Sequence, residues 1–158
     1  MKARQSGRLV FYILILWCAT AARTAHADCT LLNQLRTAAK QQFRTISGEK
    51  NIRMDEFRST LVVDGAKCKI TRTDDGKFAS HVCEWVISKD FTETKSIFRA
   101  MVSEMSSCAK SQATPSIHSR DRSEDAIFED VPNSYIDVRY SFDSGWYLLE
   151  LEYTVERK

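Results

Sequence analysis

The stretch KCKITRTDDGKFASHVCEWVI, residues 67–87, decides the fold. Two strand-like runs, over 67–73 and 77–87, flank Asp75-Gly76, and that dipeptide between them predicts a hairpin with a type I′ turn. Pairing outward from a two-residue loop sets position 68 opposite position 83, so Cys68 faces Cys83. Directly opposed residues of an antiparallel pair lie about 4.5–5.5 Å apart at Cα, within reach of a disulfide. Turn chemistry and cysteine spacing therefore agree on one register and predict a Cys68–Cys83 bridge. Closing that short loop stabilises the fold by about 3 kcal/mol on the chain-entropy argument. Ile70, Trp85 and Ile87 share the face of the two cysteines, and this face is expected to lie against a core.

Upstream of the hairpin, Leu32, Leu35, Ala39, Phe43 and Ile46 recur at three- and four-residue steps and predict a helix over 30–46. Asp28 or Thr30 can cap its start, and Gly48 suits its end. Residues 57–63 have strand character, and Asp64-Gly65 turns the chain into the hairpin. Downstream, Asp90 and Glu93 resemble a capping box with Asp in place of Ser or Thr. Ile97, Phe98, Met101, Val102, Met105, Cys108 and Ala109 then mark one face of a second helix. Residues 112–132 are polar, with Pro115 and a charged run at 120–125, and read as a long flexible loop. A second hairpin is expected over 133–142 and 146–156, around Asp143-Ser144-Gly145. Ile136, Val138, Tyr140 and Phe142, with Tyr147, Leu149, Leu151, Tyr153 and Val155, give it one apolar face. Asp137, Arg139, Glu150, Glu152 and Thr154 occupy the other.

The resulting order, α-β-β-β-α-β-β, predicts an α+β domain: a five-stranded antiparallel sheet with two helices packed on one face. That order of elements is similar to the type III secretion chaperone fold, and the resemblance implies a dimer.

The chain opens with a basic head (Lys2, Arg4, Arg8), an unbroken apolar run over 9–17, and Ala25-His26-Ala27 before Asp28. This is the pattern of a cleaved secretory signal peptide over 1–27, leaving a single domain over 28–158 in the periplasm or outside the cell. The apolar run is too short to span a bilayer, so no membrane insertion is expected after cleavage. Removal takes four cations and no acid, which turns the formal charge from +2 to about −2. A mildly acidic surface argues against nucleic acid and against anionic lipid as partners. Asn33, Asn51 and Asn133 all fail the glycosylation pattern, which fits a bacterial periplasm better than a eukaryotic secretory route. Cys18 leaves with the leader. Cys29, Cys68, Cys83 and Cys108 remain, an even set that reads as two disulfides in an exported chain. With Cys68 and Cys83 assigned to each other, Cys29–Cys108 follows by elimination and would tie the start of the first helix to the end of the second.

Catalytic patterns are sparse. After leader removal, His81 and His118 are the only histidines, and they form no H-x-x-x-H pair. The cysteine spacings hold no C-x-x-C, so redox catalysis is not expected. G-x-S-x-G does not occur. Glu150 and Glu152 share a strand face, where paired carboxylates can serve glycoside hydrolysis, but Asp137 and Arg139 beside them suggest a cross-strand charge network. Tyr135 and Trp146 fall on the same polar face, where an exposed aromatic can anchor a partner. No cofactor or metal is expected. The reading that follows is a non-enzymatic binding or inhibitor module for another periplasmic or envelope protein. Its contact surface would comprise Tyr135, Arg139, Trp146, Glu150 and Glu152 with the 112–132 segment. The rival is a small hydrolase using His81 or His118 with a carboxylate.

Overall fold

The computed structural model describes residues 27–51, 56–111 and 114–157. The leader pattern lies outside them except for Ala27, which is buried. The order is α1 (Cys29–Ala39), a 3-10 turn (Arg44–Ile46), β1 (Ser47–Asn51), β2 (Glu56–Ser59), β3 (Lys67–Arg72), β4 (Phe78–Ser88), α2 (Phe91–Cys108), β5 (Ser116–Arg120), β6 (Ser123–Glu129), β7 (Ser134–Asp143) and β8 (Trp146–Glu156). All eight strands form one antiparallel sheet in the order β1-β2-β3-β4-β8-β7-β6-β5. No described helix is long and apolar enough to cross a membrane.

The expected five-stranded sheet is thus corrected to eight strands, and two segments account for the difference. The 112–132 stretch, expected as a loop, is largely the β5–β6 hairpin, closed by Asp121 and Arg122. Its charged run hid the alternation because Glu124 points into the buried face, where the Tyr140 hydroxyl and the Lys95 ammonium (3.2 Å) reach it. The expected 30–46 helix stops at Ala39 because Gln42 and Phe43 take left-handed backbone angles (φ 51° and 58°). That bend inserts Phe43 into the core against His81 and Tyr153 and frees 47–51 to form β1. With the element order changed, the resemblance to the secretion chaperone fold loses its basis.

The 67–87 hairpin holds the expected register, Cys68 opposite Cys83, and the two are bridged. Its turn differs from the expected one. Asp75 keeps a negative φ, Gly76 alone is left-handed, and Gly76 N–H donates to Thr73 O, so the loop is a four-residue type built on 74–77. Both loop forms give the same pairing, which is why the disulfide was legible although the turn type was not. The second hairpin closes on Ser144-Gly145, both at positive φ, as a two-residue I′ turn requires.

Both helices are capped as the sequence implies. Asp28 Oδ1 accepts from Leu31 N–H, and Asp90 Oδ1 from Glu93 N–H. The helices cover one face of the sheet, where Ile70, Trp85, Ile136, Val138, Tyr140, Leu149, Leu151 and Tyr153 meet Leu32, Leu35, Phe98, Met101 and Met105. Cys29–Cys108 bridges the start of α1 to the end of α2. Beside that bridge, Arg36 donates to the fully buried Asp130 and to Cys108 O, while Lys110 N–H and the Tyr153 hydroxyl also reach Asp130. Burial alone would raise the Asp130 carboxyl, but these donors hold it below its ordinary range.

Candidate functional site

The sheet face turned away from the helices carries every expected contact residue. Because side chains alternate along a strand, pairing register alone places them. Lys67, Glu84, Glu150, Arg139, Asp125 and His118 stand opposite one another across six strands. The adjoining row sets Val82, Glu152, Asp137 and Ile127 side by side.

Arg139 sits at the centre. Its guanidinium bonds Glu150, lies 3.2 Å from Asp137 Oδ2 and 3.4 Å from Glu152 Oε2. Burial would weaken its charge, but Glu150 and Asp137 outweigh that and raise it above the ordinary arginine value. Glu152 also accepts from the Thr154 hydroxyl at 3.0 Å. Two like-charged pairs remain directly opposed in register, Glu84 with Glu150 and Asp137 with Glu152, an arrangement that destabilises a sheet. Asp137 is the most strained electrostatically. Burial, aided by Glu152, Asp125 and Glu150 and opposed by Arg139, pushes its carboxyl up from 3.8 to about 6. Its Oδ1 is buried and is the one such side-chain atom without a hydrogen-bond partner among the described residues.

Arg139, Glu150 and Glu152 are therefore brought together, with Asp137 among them. Tyr135 and Trp146 are not in that cluster. Each lies four strand residues from its centre, about 13 Å away and at opposite ends of the face. They are 41% and 43% exposed, and the Lys89 ammonium lies 4.6 Å from the centre of the Trp146 ring. The acidic core of the face thus has an accessible aromatic at each end. Reasoning on the sequence missed Glu84, Asp125 and His118 as members of this face. Continuing the register of β7 through 123–129 would have found Asp125, and folding the chain back at 121–122 would have added His118.

The histidines fall in different settings. His118 is exposed on edge strand β5, and its Nδ1 lies 3.1 Å from Asp125 Oδ2. His81 is buried on the helix side, its Nε2 2.9 Å from Ser59 Oγ and its Nδ1 3.7 Å from Cys83 Sγ. Burial lowers its pKa to about 4, so it is neutral at physiological pH. No carboxylate hydrogen-bonds His81 among the described residues.

Compared with known protein families, with curated proteins and with solved structures, the chain finds no match, so the geometry of this face is what any functional reading must rest on.

Proposed function

We propose that the protein is an exported, non-enzymatic protein-binding module that takes a cationic segment of another envelope protein on its open sheet face. The observation that carries the reading is the centre of that face. Asp137, Glu150 and Glu152 share the single guanidinium of Arg139, Asp125 stands opposite it in register, and Asp137 Oδ1 is buried without a donor. A lysine or arginine from a partner would relieve the like-charge crowding. Tyr135 and Trp146 supply flat, amphipathic contact area at low entropy cost on either side. The leader pattern, together with two disulfides, supports an oxidising compartment outside the cytosol.

The test is affinity capture from an envelope extract with the oxidised protein, compared with Glu150→Gln/Glu152→Gln and with Tyr135→Ala/Trp146→Ala. A stoichiometric partner recovered by the parent, released by salt and lost from both variants is the expected result. A partner retained by both variants would place the interface elsewhere. Recovery of no partner at any salt concentration would count against a binding role.

A further inference from the structure

On the opposite side of the sheet, the Cys68–Cys83 bridge is bordered by a buried histidine. Cys68 Sγ, Cys83 Sγ and a ring nitrogen of His81 all lie within 4.8 Å of one another. We propose that opening this bridge creates a Cys2His site for a thiophilic cation of the Zn²⁺ type, so that the protein exchanges a disulfide for a metal according to the redox state around it.

The donor set and its orientation support the site. Two thiolates and one imidazole form a soft ligand set that Zn²⁺ binds tetrahedrally, at about 2.3 Å to sulfur and 2.0–2.1 Å to nitrogen. Ligands at those lengths stand about 3.5–3.8 Å apart around a tetrahedral ion. The His81 Nδ1–Cys83 Sγ separation is already 3.7 Å. Ser59 Oγ, on the other ring nitrogen, can accept an Nε2 proton and leave the Nδ1 lone pair facing the sulfurs. The same hydroxyl oxygen accepts from Leu61 N–H, so it is an orienting group and not a ligand. His81 is kept neutral by burial, the form a metal needs.

Access is one-sided. Cys83 and His81 are buried, whereas Cys68 is half-buried and, with Ser59, lines a surface cleft of about 490 Å³. An external dithiol can therefore attack Cys68 Sγ. The S–S bond breaks, Cys83 leaves as thiolate beside His81, and a mixed disulfide forms at Cys68. The reductant's second thiol then displaces Cys68 and closes its own disulfide, so two electrons pass from the dithiol to the cysteine pair. Metal binding releases the remaining thiol protons to solvent.

The experiment uses the full chain, reduced with a phosphine, freed of reductant under anaerobic conditions and titrated with Co²⁺. The expected result is one Co²⁺ per chain with intense tetrahedral d–d and thiolate-to-cobalt absorption, displaced by Zn²⁺ and absent from the oxidised protein. His81→Leu should lose at least about tenfold in affinity, and Ser59→Ala about tenfold through loss of orientation. Cys29→Ser/Cys108→Ser should keep the signal, and Zn²⁺ should raise the melting temperature of reduced parent but not of His81→Leu. Any of three outcomes overturns the proposal: no thiolate band after reduction, a band unchanged in His81→Leu, or a reduced chain that stays unfolded with and without metal.

Discussion

Asp137 offers the sharpest test of the electrostatics of the open face. Its folded carboxyl titrates at about 6 against an ordinary 3.8, chiefly because it is buried. At about 1.4 kcal/mol per tenfold, that difference amounts to about 3 kcal/mol. The folded chain holds this proton more tightly than the unfolded chain does. The group's contribution to stability is therefore fully present below pH 3.8 and is lost as pH rises through about 6. Asp137→Asn has no charge to bury in either state. It should be more stable than the parent by up to about 3 kcal/mol at about pH 7.5, with the advantage shrinking towards zero near pH 3.5. Urea denaturation of both proteins across this range reads the effect directly, provided the m-values match. A variant that is less stable than the parent at neutral pH would refute the reasoning, because pairing with Arg139 would then outweigh burial. The same titration reaches function. A cationic partner would favour ionised Asp137, so binding should tighten as pH rises from about 5 to 7, and Asp137→Asn should remove most of that dependence.

Three further outcomes follow from the packing. Cys29→Ser/Cys108→Ser releases a loop with a sequence separation of 79 and should cost about 4–5 kcal/mol, against about 3 for Cys68→Ser/Cys83→Ser, whose separation is 15; urea denaturation ranks the two. Arg36→Met leaves the fully buried Asp130 with only Lys110 N–H and the Tyr153 hydroxyl and should destabilise by about 3–5 kcal/mol; a thermal-denaturation loss below about 1 kcal/mol would contradict the role given to this pair. Trp146→Ala and Tyr135→Ala should each shift stability by less than about 1 kcal/mol while weakening partner binding by about tenfold or more by calorimetry, whereas a large stability loss would mark these rings as structural.

What the sequence disclosed, and what it hid, follows from how locally each feature is encoded. The Cys68–Cys83 bridge was readable because a short turn fixes register within a few residues, and either turn type gives the same pairing. The polar face of the β7–β8 hairpin was readable for the same reason. The edges were not. Every residue of β5 is exposed, so its burial pattern carries no period of two, and its existence depends on pairing with β6. In β6 the inward position 124 holds a glutamate, whose burial depends on Lys95 of α2 and Tyr140 of β7. The helix period through Phe43 is real as burial but false as helix. Two left-handed residues deliver that ring to the core by another route, and such angles leave little trace at Gln and Phe.

The open face joins these two kinds of information, and it is there that local consistency fails. A sheet face selected only for solubility gains most by alternating opposite charges across strands. Lys67 opposite Glu84, and Arg139 between Glu150 and Asp125, follow that rule. Glu84 opposite Glu150 and Asp137 opposite Glu152 break it at the centre of the sheet, where no edge needs protection from pairing. Asp137 adds a buried oxygen with no donor, although asparagine would fit the same volume without the charge. Sequences that break a local rule without a structural gain do so most often where they bind or react. Among the described residues, the cost is concentrated around one guanidinium between two accessible aromatic rings. A second guanidinium or ammonium, supplied from outside the chain, is the group that would offset it.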